Sequence, residues 1–193
     1  GEFAHRPVEA RGYLFIHCLF VGFKKEYKGR GFASALIEEC IEEARDQGKD
    51  GVAVVTRKGS FMAKKDIFLK HRFTGVDKAK PDFELLALKF NEEARDPQFR
   101  DMEAALEKYN NGLYVIRSVQ CPYTEKNVNG IVESAASKFD LESEVLDLKD
   151  FKEVQNSPCT FGTFCLIYDG EIVSHHPISK TRFENIMKEK LEI

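Results

Sequence analysis

The sequence predicts an α/β protein of two domains, and three observations carry the prediction. Runs that are apolar on both parities, residues 13–21 and 51–56, alternate with amphipathic stretches of helical period, residues 32–44 and 124–139. A polar segment containing Pro97, residues 91–97, separates two such alternating series. The 193 residues, 42% apolar and 32% charged, suffice for one large domain or two small ones of ordinary globular composition.

In chain order, residues 13–21 read as a strand buried on both faces, as in parallel sheets. Phe32, Leu36, Cys40 and Ala44 recur every four residues, with Ala33, Ile37 and Ile41 beside them. Glu38, Glu39, Glu42 and Glu43 face the other way, so this is a helix with a broad apolar face, closed by Gly48. Residues 51–56 give the next strand, 61–71 a helix, 73–77 a short strand and, after Pro81, 83–90 another strand. Residues 99–109 read as a helical connector halted by Asn110, Asn111 and Gly112. The second series runs strand 113–119, helix 124–139, strand 143–148 and short helix 151–155. Strands 163–168 and 171–174 flank Asp169-Gly170, a hairpin signal, and a helix over 180–191 follows. The expected organisation is a tag or disordered end over 1–10, a domain over 11–90, a connector over 91–111 and a domain over 112–193.

The net charge of −3 gives no electrostatic reason to expect nucleic acid or an anionic membrane as partner. The longest apolar run, residues 12–23, falls short of the roughly 20 residues a membrane span needs. Cysteines stand at 18, 40, 121, 159 and 165 without a CxxC pair, which favours a reducing, cytoplasmic setting. The adjacent His175 and His176 would point to opposite sides of a strand, with no Cys or carboxylate cluster near in sequence. They read as a solvated strand end, and no metal site is expected.

A strand, a turn rich in small residues and a helix start together make an anion site. Glycines let backbone N–H groups converge, and the first amides of a helix lack internal partners and carry the positive end of its dipole. Here Gly29, Gly31 and Ala33 crowd the start of the first helix, with Lys28 and Arg30 adding charge. The turn is neither GxxxxGK[ST] nor GxGxxG. Glu26-Tyr27-Lys28-Gly29-Arg30-Gly31 resembles motif A of the GNAT acetyltransferases, [Q/R]xxGx[G/A], with Glu26 in the first place. The resemblance implies acetyl-CoA as cofactor, its pyrophosphate on the loop amides from Lys28 through Phe32 to Ala33. It implies backbone pairing of the pantetheine arm with Leu19, Phe20 and Val21, and direct attack of an amine on the thioester. The resemblance covers the second half of that domain. The expected fold is therefore a GNAT-like mixed sheet lacking its N-terminal half, followed by a second α/β domain.

Family members often place a Tyr acid in a pattern like AxxxxYxxxGF. The matching run from Ala63 puts Phe68 at the Tyr and Arg72 at the Gly, so Phe68 donates no proton and is left to pack on the CoA tail. His17 is the candidate base on the first strand, with a buried, hydrogen-bonded structural His as the alternative. Ser60 is either a helix N-cap or a hydrogen-bond donor to CoA.

Cys121, in Val119-Gln120-Cys121-Pro122-Tyr123-Thr124, lies between a strand and a helix whose N-terminus would lower its thiol pKa. Cys-Pro-Tyr before a helix resembles the active turn of glutaredoxins and thioredoxins, which implies a thioredoxin-like C-terminal domain. Thr124 replaces the second Cys, which leaves monothiol chemistry. The proline expected near Gly162 in that fold falls at Pro158. Cys159 or Cys165 is expected to approach Cys121; in one extended strand those two would lie about 20 Å apart. The pairing of a GNAT half with this domain resembles the YoaP-like acetyltransferase group. The expected function is N-acetyl transfer from acetyl-CoA to an unidentified amine. The alternatives are a thiol protein run by Cys121 and a non-catalytic CoA-binding or interaction module. A homodimer is kept open.

Overall fold

The computed structural model describes residues 1–22, 24–59 and 61–192. The chain divides into two compact units, Gly1–Ala4 with Val8–Arg100 and His5–Pro7 with Asp101–Ile193. The first unit carries β1 (Val8–Glu9), β2 (Tyr13–Ile16), α1 (Phe32–Asp46), β3 (Gly51–Arg57), α2 (Lys65–Lys70), β4 (Thr74–Ala79), β5 (Phe83–Lys89) and β6 (Gln98–Phe99). Its main sheet has the order β2-β3-β5-β4, with β2 parallel to β3 and the other pairs antiparallel. Six of the seven β3 residues are buried, which is why that strand is apolar on both parities. Ile37 and Ala44 of α1 and Phe68 of α2 pack on Ile16, Val52, Val54 and Leu86 of the sheet. Each large side chain so buried contributes about 1.5–3 kcal/mol.

Three boundaries differ from expectation, each with a local cause. β2 stops at Ile16 rather than running to Val21, because its ladder with β3 ends at Ile16↔Val54 and the chain then leaves the sheet. α2 begins at Lys65 rather than at 61, because Phe61 takes a left-handed φ of 70°, which no α-helix continues. In the segment read as a helical connector, Phe99 belongs to β6, which pairs with β1. The helix α3 (Met102–Leu106) starts only where the Asp101 side chain accepts from the Glu103 and Ala104 amides. Within residues 1–10, β1 is paired and Ala4, Val8 and Ala10 are buried.

The second unit continues from α3 with β7 (Leu113–Ser118), α4 (Glu125–Phe139), β8 (Ser143–Leu148), α5 (Phe151–Gln155), β9 (Phe164–Tyr168), β10 (Glu171–Ser174) and α6 (Lys180–Lys190). Its sheet has the order β10-β9-β7-β8, with β7 parallel to β8 and β9 antiparallel to both its neighbours. Asp169 and Gly170 both take positive φ, 47° and 80°, as a two-residue hairpin turn requires. α4 and α6 are joined by Ser134 and Lys138, which donate to Glu184 at 2.9 and 2.6 Å. The segment 5–7 is built into this unit. Arg6 is buried and donates to the carbonyls of Thr160 and Phe161, and a Cβ on Gly162 would meet the His5 carbonyl. Among the described residues, no helix is long and apolar enough to cross a membrane.

Candidate functional site

The turn before α1 is built on backbone conformation. Gly29 and Gly31 take φ of 71° and 81°, and Gly31 is the N-cap of α1. Among the described residues, a Cβ at either position would have no atom within 4 Å, so conformation and not crowding calls for glycine. Among the described residues, no side chain caps α1, and no acid stands in its first turn. The amides there, beginning with Phe32 and Ala33, are thus left for an external acceptor. Lys28 and Arg30 are exposed and have no ion pair among the described residues, while Glu26 pairs with Lys24 at 3.6 Å. The Arg30 guanidinium lies 5.4 Å from the Phe32 ring centroid, and the Tyr27 ring meets Phe32 edge-on at 6.4 Å. A residue that sequence reasoning missed is Gly22, at φ 103°, where a Cβ would stand 2.9 Å from Tyr27 Cδ2. Its signal was a glycine at the end of the apolar run, five residues before the aromatic it must clear.

Beside this turn the sheet opens. The β2–β3 ladder ends at Ile16↔Val54, yet β3 runs on through Val55, Thr56 and Arg57, which among the described residues pair with β5 alone. Leu19, Phe20 and Val21 therefore lie past the point where the two strands part, rather than in a continuous strand. Leu19 packs into the core, and Phe20 is 54% exposed. His17 is the first residue beyond the ladder, half-buried, with its ring 5.1 Å from that of Phe15.

Phe68 is fully buried and meets Phe73 edge-on at 5.5 Å, so its ring serves the core and has no exposed face for a CoA tail. Ser60 lies outside the described residues; the N-cap of α2 is Lys64.

In the second unit Cys121 caps a short 3-10 turn, Pro122–Thr124, that leads into α4. It is half-buried between the exposed Val119 and Tyr123, and its carbonyl accepts from Thr124 Oγ1 at 3.1 Å. Cys159 and Cys165 are buried together in the core with Ile116 and Ile167, within hydrogen-bonding reach of one another. The chain between them is not one extended strand, because Gly162 donates back to the Cys159 carbonyl at 2.7 Å and turns it. Burial, then the hydrogen bond with Cys165, pushes the Cys159 thiol well above its ordinary pKa. Among the described residues, no three His, Cys, Asp or Glu side chains gather as a metal site.

A curated protein, the uncharacterized N-acetyltransferase YoaP of Bacillus subtilis (strain 168), is 30% identical over 183 residues, covering 94% of this chain and 72% of that protein. The chain belongs to the YoaP family of acetyltransferases. The model of the acetyltransferase (GNAT) family matches residues 3–64, and the YoaP-like model matches residues 144–185. This chain thus carries a GNAT acetyltransferase domain joined to a YoaP-like part. The GNAT match contains β2, the glycine turn, α1 and β3; Phe68 and Cys121 fall outside both matches. No solved structure matches the chain.

Proposed function

We propose that the chain transfers an acetyl group from acetyl-CoA to an amine, with the donor held where β2 and β3 part beside the glycine turn. The observation that carries this reading is the left-handed pair Gly29 and Gly31 at the uncapped start of α1. The residues present fit the group. The turn is open, free of acidic residues in the first helical turn, and flanked by Lys28 and Arg30. The amides from Lys28 to Ala33 would hold the pyrophosphate. The backbone of Leu19, Phe20 and Val21, past the end of the β2–β3 ladder, would take the pantetheine arm. Bound acetyl-CoA supplies an activated acyl group; the chain's own task is to fix the thioester carbonyl so that the amine attacks it directly. His17, at the mouth of the opening, is the candidate to accept the ammonium proton before attack.

Calorimetric titration with CoA tests this. The full chain is expected to bind CoA, and Gly31→Trp, which fills the open turn, is expected to abolish binding while the chain stays folded. No heat of binding with the unaltered chain would sink the proposal.

A second reading is favoured by the order β8-β7-β9-β10 with Cys121 at the start of the turn that leads into α4. This is the arrangement expected of a thioredoxin-like domain with one active thiol. Alkylation of Cys121 measured against pH decides it, since a working thiolate titrates well below the ordinary cysteine range.

A further inference from the structure

α1 and α2 end in the same way. The Lys49 amide donates to the Ala44 carbonyl at 2.9 Å and Gly48 to that of Arg45 at 2.9 Å; Phe73 donates to Phe68 at 3.2 Å and Arg72 to Leu69 at 3.1 Å. Both are Schellman closures, which need one residue with left-handed backbone. In α1 that residue is Gly48 at φ 61°, and in α2 it is Arg72 at φ 65°. Left-handed backbone is unfavourable for any residue with a Cβ, and glycine is the ordinary occupant. An arginine held there calls for a use of its side chain.

Arg72 lines a cavity of about 620 Å3 between the C-terminal ends of the two helices. Ile41 and Leu88 give it an apolar floor, and Arg45 and Lys70 complete a basic rim. Lys89 on the same lining is engaged by Asp96 at 3.1 Å, and His71 faces Glu38 at 3.8 Å. Among the described residues, Arg45, Lys70 and Arg72 have no ion-pair partner. The Arg45 guanidinium lies 4.1 Å from the Phe90 ring centroid, a stack that leaves its N–H edge free for a bidentate acceptor.

Cations at helix C-termini also complement the helix dipole, which places about half a negative charge at each C-terminal end. Arg45 and Lys70, in the last turns, meet that need without Arg72. Glu92 adds the carboxylate of the lining, and the three cations still exceed the opposing charge. Along α1, Ile41 and Arg45 of the lining stand about 15–20 Å from the glycine turn.

We propose that this cavity binds a phosphorylated small molecule. Its phosphate is held by Arg45, Lys70 and Arg72, and its organic body rests on Ile41 and Leu88. Guanidinium forks match phosphate oxygens, and a cavity of this size exceeds what inorganic phosphate alone would fill.

The test is a titration of the isotope-labelled full chain with inorganic pyrophosphate, followed by amide resonances, which separate this cavity from the glycine turn at residues 28–33. Shifts are expected at residues 45–49 and 69–73. Arg72→Gly is expected to weaken this binding about tenfold, the loss of one charge-assisted contact. The same variant should hold or raise the melting temperature, because glycine relieves the strain. Lys70→Gln, an exposed change, should weaken binding as well. No shifts at these residues, or an unchanged Kd in Arg72→Gly, overturns the proposal. Citrate acting on the same amides with the same Kd would overturn the assignment to phosphate.

Discussion

Gly31→Ala isolates the backbone contribution of the turn. The left-handed conformation of Gly31, φ 81° and ψ −4°, costs a residue with a Cβ about 1–2 kcal/mol. The stiffer unfolded chain of the Ala variant returns roughly 0.5 kcal/mol. Among the described residues no atom lies within 4 Å of the added Cβ, so no clash enters, and the net effect is roughly 1 kcal/mol. That loss can fall in two places. If the free protein keeps the turn, stability drops by about 1 kcal/mol and CoA affinity holds. If the turn relaxes to negative φ, stability holds and the CoA Kd rises about fivefold, because binding must restore the conformation. Urea denaturation and CoA calorimetry on the same variant measure both parts, whose sum is the quantity fixed by the geometry. Gly31→Asn, which tolerates left-handed backbone, should lose less than Ala. A Gly31→Ala protein unchanged in both stability and affinity would refute the reasoning.

Phe68→Ala should destabilise the first unit by about 3–5 kcal/mol in denaturant, because the ring is fully buried against Phe73. Phe68→Tyr should also lose stability without gaining activity, since the new hydroxyl would be buried without a partner. The hydrogen bonds from Lys138 and Ser134 hold the Glu184 carboxyl below its ordinary 4.5, so the charged form is favoured in the fold. The stability this supplies is present above 4.5 and is lost as pH falls through the lowered folded value. Glu184→Gln should flatten the acid limb of the urea midpoint as pH falls below 4.5. Iodoacetamide should label Cys18 and Cys121 in the folded chain before the buried Cys159 and Cys165, with all five reacting in urea; mass spectrometry reads the order.

Most long elements were legible because their periodicity is strong. Phe32, Leu36, Cys40 and Ala44 marked α1, and Asp169-Gly170 marked the β9–β10 hairpin. The two-residue strands β1 and β6 were not legible, because a pair so short has no period and is set by its distant partner. The parting of β2 from β3 was hidden as well. Residues 17–21 remain apolar enough to pass for strand, and only the register shows that the ladder has ended. The glycine turn could be read because its φ requirement is written in residue type. Arg72 stood out only as a departure from glycine, and its meaning needed the closure of α2 and the cavity beside it. The meeting of Cys159 with Cys165 depends on a turn whose one clear sign in the sequence is Gly162.

Arg6 and the carbonyl of Thr160 are separated by 154 residues of chain. On a ribosome adding 5–20 residues per second, that interval is roughly 8–30 s. The arginine must therefore wait, unseated, while most of its own unit is still unmade. A recombinant piece beginning at Asp101 would lack it altogether, leaving the carbonyls of Thr160 and Phe161 without their donor. The second unit is therefore not a cassette that can be cut from one contiguous stretch, and any dissection of this chain has to carry residues 5–7 along with it.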